Sequence, residues 1–513
     1  MSAFDLIAED KPLQDKCGII GLINPNYKEL LPTALIAASG VQHRGQQGAG
    51  VALRTKKGIL RYTANGLIAA IFNKTLLKRL NRKSIWTMVH CRYGTYGGYD
   101  ACNLQPCQVK ASNGDDILLI HNGEFNGIEK IKAMLGDKKF PDDTSDTYLF
   151  TELLAQEKGE NWDEKIKSAL KKVTGAYSLI IGIGDAMYLA RDPHGIRPLV
   201  FGKINGGYLA ASETFALNKI GAKFVREVRR GEIIRMDHDG LTVVSEGTTT
   251  PGNFCDFEWA YFERPDSRLP VQDVAENKLD DKTWMSVTEF RERCGAALAI
   301  EAPIKGASFV VGVPDSGIAL GTGYASALGA PYRQVIIRHH FDLHGGQRLF
   351  MRDDEINLIG KRVLGKLSLV RDPRIWKGAK VVIADDSIVR GNVCSRLTKA
   401  IKDAGAAEVH WIIGFPPVAH PCHLGVSMRS GDELVAYKYR GDTKKIAEEF
   451  GATSVSYISH RGFLKARILS GQLNESQNEG EIFLRNGSCG GCITGNYPVN
   501  RDGSVNPNAS QQT

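Results

Sequence analysis

Residues 381–405 read VVIADDSIVRGNVCSRLTKAIKDAG. Val381 to Ala384 predict a short buried strand, ended by two adjacent carboxylates, Asp385 and Asp386. Ser387 and a turn closed by Gly391 follow. From about Cys394, Leu397, Ala400, Ile401 and Ala404 fall at helical spacing, with Gly405 as the stop. In an open α/β sheet, ligands gather at the carboxyl ends of strands, where a helix N-terminus offers free N–H groups to phosphate. A carboxylate pair on the same turn accepts hydrogen bonds from vicinal hydroxyls. The segment therefore supplies what a ribose 5-phosphate needs. A bare acid pair would read as a strand end with surface carboxylates; the whole pattern favours the binding site.

Outward from this segment the chain divides in two. From about 280, helix and strand alternate through EFRERCGAALAI, SFVVGVP, GYASALG and RQVIIR, the rhythm of a parallel sheet. The first half instead carries short strands such as CGIIGLI, SLIIGIG, AMYLA and GEIIRMD. Helices such as TYLFTELLAQEK and WDEKIKSALKKV interleave them, which predicts a layered α+β domain. SEGTTTPGN (245–253) marks the boundary. The polar C-terminal stretch ends in VNPNASQQT, which is expected to be disordered.

A length of 513 residues suits two or three domains, and 42% hydrophobic with 24% charged residues is the make-up of a soluble globular protein. The net charge of +8 is spread among acids, which suits an enzyme of anionic substrates and gives no nucleic-acid partner. No apolar run of about 18 residues predicts a membrane span, and the acidic N-terminus lacks a secretory core. A cytoplasmic protein is expected, its ten cysteines serving as free thiols, catalytic groups or metal ligands rather than disulfides.

Cys17 heads the strand-like CGIIG after a short leader, 1–16. If processing exposes it, its own α-amine, with an ordinary pKa of about 8, can activate the thiol. Alone, such a cysteine reads as a small buried apolar residue. It is accompanied by HRGQQGAG (43–50), HCRYGT (90–95), HNGE (121–124), TSD (144–146) and RDPHGIRPL (191–199). Together these resemble the N-terminal-nucleophile glutaminase domain of class II glutamine amidotransferases. The resemblance implies that Cys17 attacks the glutamine amide while Asn122 and the Gly123 N–H hold the oxyanion. It implies that Arg92 and Asp146 bind the substrate's α-carboxylate and α-ammonium, and that Arg44 orders the glutamine pocket. The family pattern is usually HNGN, whereas Glu124 follows Gly123 here.

The 381–405 segment resembles the phosphoribosyl-pyrophosphate (PRPP) motif of type I phosphoribosyltransferases. The two resemblances in one chain, with YFERPDS (261–267), VGVPDSG (311–317), PPVAHPC (416–422) and CGGCITGNYP (489–498), resemble the amidophosphoribosyltransferase family in its iron–sulfur branch. This implies an αββα glutaminase domain (17–250), an α/β phosphoribosyltransferase domain (260–470) and a C-terminal tail (471–513). It implies transfer of glutamine-derived ammonia to C1 of PRPP, giving 5-phosphoribosylamine, glutamate and pyrophosphate, at the start of purine synthesis. Ser316, Asp385, Asp386, Ser387, Arg390 and Gly391 would hold PRPP and Mg²⁺. Cys255, Cys422, Cys489 and Cys492 would hold a [4Fe–4S] cluster, although zinc also takes four thiolates and the residues alone do not choose. A homo-oligomer, dimer or tetramer, with purine nucleotides as feedback inhibitors, is also implied. Two departures stand out: the phosphate loop ends Gly391-Asn392-Val393 where the family has GTT, and the closing loop (338–363) carries Asp353, Asp354 and Glu355. They leave two alternatives, a paralogue aminating another phosphoribosyl compound and a PRPP- or nucleotide-sensing protein with a weak synthase site.

Overall fold

The computed structural model describes residues 17–92, 103–248, 252–270, 284–338, 367–426, 428, 430–468, 479–507 and 509. The expected leader, Cys102 and nearly all of the closing loop lie outside these residues.

The first half is built on two antiparallel sheets. One has seven strands in the order Lys223–Glu227, Val200–Ile204, Gly207–Ala211, Gly18–Glu29, Lys83–Arg92, Gly48–Thr55 and Gly58–Asn65. The other has six: Gly240–Ser245, Ile233–Asp237, Ala186–Arg191, Thr174–Ile183, Asp116–Asn126 and Cys107–Lys110. Their strands are apolar on both faces because both faces are covered. Ile19 and Ile23 enter the core between the sheets, while Ile20 and Leu22 enter an outer core shared with helices Leu31–Ser39 and Thr214–Lys219. On the second sheet Leu118 and Ile120 face inward; Ile117 and Leu119 meet helices Asp146–Gln156 and Trp162–Lys171. Period-two geometry applied to both sheets gives four layers, αββα.

The second half carries a parallel sheet in the order Phe309–Gly312, Lys380–Asp385, Glu408–Ile413 and Ser454–Tyr457. Val381 and Ile383 enter one core, Val382 and Ala384 another, so helices cover both faces. The predicted strand is Lys380–Asp385 and the predicted helix is Asn392–Asp403. The helix begins before Cys394 because Gly391 caps it at φ +80°, a conformation glycine adopts without strain. A Cβ at Gly391 would also strike the Phe450 ring.

The C-terminal stretch corrects one expectation. Disorder was expected over 505–513, but Val505 bridges Val499, Asn506 N donates to Pro498 O (3.0 Å), and Ala509 is buried. The preceding turn hydrogen-bonds to the glutaminase half: Gly127 N donates to Arg501 O (3.2 Å) and Thr174 Oγ1 to Gly503 O (3.0 Å).

Candidate active sites

In the glutaminase half, Cys17 directly precedes the central strand of the first sheet, where Gly18 pairs with Cys91. Arg92 follows Cys91 at the end of the neighbouring strand and is buried. Asn122 and Gly123 lie in the strand Asp116–Asn126 of the facing sheet. Asn122 is fully buried, yet neither its Oδ1 nor its Nδ2 has a hydrogen-bond partner. Leaving such an amide unpaired costs about 1–3 kcal/mol, which is tolerated where the donor serves a transient anion. Gly123 has φ +151°, and a Cβ there would collide with Ala176 O. Asp146, in the first turn of its helix, accepts from Phe125 N (2.8 Å), so the expected ammonium ligand is tied to the oxyanion strand.

His90 and His121 were not singled out from the sequence, although each sits in a quoted motif. His90 is buried, and that burial, with Arg92 nearby, pulls its pKa down to about 3. His121 is also lowered by burial, and its Nδ1 lies 3.1 Å from Thr147 Oγ1. A neutral imidazole is the form such desolvated sites favour.

Arg44, expected to order the glutamine pocket, is buried: its Nη1 donates to Glu213 (2.9 Å) and its Nη2 to both Glu258 oxygens (2.8 and 2.9 Å). Glu258 sits in a π-helical turn, Glu258–Phe262, and also binds Arg197 (2.9 Å). Glu263, 3.5 Å from Arg44 Nη1, is pushed well up by burial and by Glu213 and Glu258. Arg44 therefore orders the wall between the two halves. Sequence reasoning missed this cluster because its hydrogen-bonded partners are 61 to 214 residues apart.

At the carboxyl end of the parallel sheet, Ser316, Asp385, Asp386, Ser387, Arg390 and Gly391 line one cavity of about 510 Å³. Asp386 accepts from Ser316 Oγ and from Ser387 Oγ (2.6 Å). Burial and the neighbouring Asp386 push the pKa of Asp385 well up, as expected where two acids share a site. Arg390 is ion-paired with Glu433. The cavity also takes Gln42, His43, Gln46 and Leu67 from the glutaminase half, and Tyr261 to Pro265 from the junction. His43 Nε2 lies 2.7 Å from Glu213.

The structure brings Cys255, Cys422, Cys489 and Cys492 together in one core. Cys489 N donates to Phe254 O (2.8 Å), and both Ala419 N and His420 N donate to Cys492 O (3.0 Å each). Every pairing among the four thiols is close enough for one to raise the pKa of another, and burial adds to this, pushing Cys255 up to about 11. No three of these described sulfurs lie mutually within 4.8 Å. Four thiolates around one zinc would sit ~3.8 Å apart, given Zn–S near 2.3 Å. The wider spacing suits a cluster that gives each thiolate its own iron.

A glutamine amidotransferase domain family matches residues 100–219. The amidophosphoribosyltransferase of Bacillus subtilis is 32% identical over 96% of this chain and 96% of its own. The human enzyme of that name is 31% identical over 96% of this chain and 99% of its own, and that of Archaeoglobus fulgidus 34% over 95% and 99%. A solved B. subtilis glutamine PRPP amidotransferase complexed with ADP and GMP aligns with a TM-score of 0.79, 31% identity, 96% of this chain and 99% of that chain. A second structure, of the allosteric regulatory enzyme of purine biosynthesis, gives 0.80 at 31% identity, covering 95% and 98%. With both half-sites built and full-length relatives above 30% identity, the chain belongs to the amidophosphoribosyltransferase family.

Proposed function

We infer that the chain moves ammonia from glutamine to C1 of PRPP, yielding 5-phosphoribosylamine, glutamate and pyrophosphate. The observation that carries this reading is the single cavity whose wall passes from Gln42, His43 and Gln46 to Asp385, Asp386 and Gly391. A paralogue or sensor is not favoured, since the relatives carry the amidophosphoribosyltransferase name along their whole length.

In the glutaminase half, the Cys17 thiol attacks the glutamine side-chain amide, forming a γ-glutamyl thioester and releasing ammonia, and water then hydrolyses the thioester to glutamate and the free thiol. Removal of residues 1–16 would leave the Cys17 α-amine free to take the thiol proton and return it to the leaving ammonia. Asn122 Nδ2 and Gly123 N–H receive the developing oxyanion, and the unpaired state of Asn122 supports that role. Arg92 and Asp146 hold the α-carboxylate and α-ammonium.

In the synthase half, Asp386 and Asp385 accept from the ribose hydroxyls. Backbone N–H groups from Ser387 into helix Asn392–Asp403 hold the 5-phosphate, which lets Val393 stand where a hydroxyl is usual. Ser316 closes the pyrophosphate side. The oxygen-rich donor set of Asp385 and Asp386 fits Mg²⁺, which when bound offsets charge on the pyrophosphate. Ammonia displaces pyrophosphate at C1, and the new ammonium loses a proton to give the amine.

Cys255, Cys422, Cys489 and Cys492 fit a [4Fe–4S] group, which when bound ties the junction to the C-terminal segment. Purine nucleotides are the feedback ligands to test first, given ADP and GMP in the solved relative. Among the described residues no helix is long and apolar enough to cross a membrane.

Purified enzyme given glutamine should release glutamate and pyrophosphate one to one, each dependent on PRPP. Pyrophosphate release in the absence of both glutamine and ammonia, or PRPP binding without turnover, would overturn the reading.

A further inference from the structure

Arg291 has no role in the scheme above. It lies in helix Val287–Glu301, it is only 4% exposed, and it lines the cavity that holds Asp385 and Asp386. Its Nε donates to Trp259 O (3.2 Å) and its Nη2 to Glu263 O (2.9 Å). Both acceptors are backbone carbonyls in or just beyond the turn Glu258–Phe262, so the guanidinium plane is fixed from behind. It makes no ion pair with any described carboxylate, and Nη1 has no acceptor among the described residues. That nitrogen is also not sealed off by packing. A buried cation with no direct ion pair is costly, so its persistence in a cavity wall calls for a ligand acceptor. Burial lowers its pKa, and Asp386 is the charge that offsets this most, which sets the guanidinium on the acid-pair side of the cavity.

A sugar hydroxyl can donate one hydrogen bond and accept two. Held between a carboxylate and a guanidinium, it satisfies both. We propose that Arg291 is a specificity-determining residue of the ribose pocket, its Nη1 donating to a ribosyl hydroxyl whose proton Asp386 accepts. This deepens, and rests on, the reading of Asp385 to Gly391 as the ribose 5-phosphate site. The contact distinguishes ribose from a deoxyribose. Without the hydroxyl, both Arg291 and Asp386 lose a partner inside the protein, the circumstance in which hydrogen-bonding sites discriminate most.

The test uses the full-length enzyme and four probes that compete with PRPP: ribose 5-phosphate, its 2-deoxy and 3-deoxy analogues, and inorganic phosphate. The wild-type enzyme should prefer ribose 5-phosphate over at least one deoxy analogue by roughly 10- to 100-fold, the range for a hydrogen bond to a charged group. In Arg291→Met that preference should collapse while inorganic phosphate binds as before. Arg291→Lys should recover part of it. An unchanged preference in Arg291→Met would overturn the proposal. So would equal weakening of all four probes in both variants at an unaltered melting temperature, which marks a packing role. Failure of the wild type to bind any probe or use PRPP would instead sink the site reading beneath it, an outcome seen without any variant.

Discussion

The two half-sites satisfy their polar groups in opposite ways. In the glutaminase half, Asn122 is fully buried and neither its Oδ1 nor its Nδ2 has a hydrogen-bond partner among the described residues. In the synthase half, Asp386 is bonded by two serines and Arg390 by Glu433. Donors meant for charge that exists only in a transition state, the role proposed for Asn122, are left unpaired at rest. Groups that must grip a stable, highly charged substrate are paired at rest and exchange partners on binding. Damage to the first half should therefore appear in kcat, and damage to the second in substrate affinity.

The buried cluster between the halves gives the largest expected effect. Arg44→Met would leave Glu258 with Arg197 and Glu213 with His43 as their remaining ion-pair partners, and should cost ~3–5 kcal/mol of stability. Urea unfolding measures this, and a loss below about 1 kcal/mol would remove Arg44 from the structural role assigned to it. Next, Asn122→Leu should cut kcat for glutamine hydrolysis by ~10²–10³-fold, the loss typical of one oxyanion donor. Thermal stability should hold or rise, because the buried amide gives up no hydrogen bond. An equal fall in stability and activity would mean that Asn122 supports the strand instead.

Smaller still is the acid response of His90. Its folded pKa, about 3, lies below its ordinary 6.5, so the unfolded chain binds the extra proton between those values. Stability is then greatest above pH 6.5 and falls as pH drops toward 3, by ~2 kcal/mol at pH 5. His90→Gln should flatten that part of the pH–stability curve. A curve as steep as wild type would place the acid sensitivity elsewhere.

How far this could be read from sequence depends on range. The 381–405 stretch announced its strand, turn and helix because each signal is local: an apolar run, a glycine stop, a helical spacing. Cys255, Cys422, Cys489 and Cys492, which the structure brings into one core, were singled out through surrounding words such as PPVAHPC and CGGCITGNYP, though not through spacing. The partners of Arg44 and the place of Arg291 were not legible, because Glu258 and the carbonyls of Trp259 and Glu263 are distant in sequence and carry no periodicity. The C-terminal stretch failed for a related reason. Polar composition argues for disorder, yet the order at Val499–Val505 comes from main-chain groups, whose pairing composition does not report.

The central claim is that one chain holds two separable sites, the synthase cavity reaching Gln42, His43 and Gln46 of the glutaminase half, and crossing one variant from each half with two nitrogen sources tests it most directly. Pyrophosphate release from PRPP would be measured with glutamine and, separately, with an ammonium salt. Cys17→Ala should lose all glutamine-dependent release and keep the ammonium-dependent rate. Asp386→Asn should weaken PRPP use under both sources by ~1.5–3 kcal/mol, the range for a hydrogen bond to a charged group. Loss of both activities in folded Cys17→Ala, or an Asp386→Asn defect confined to glutamine, would contradict the account.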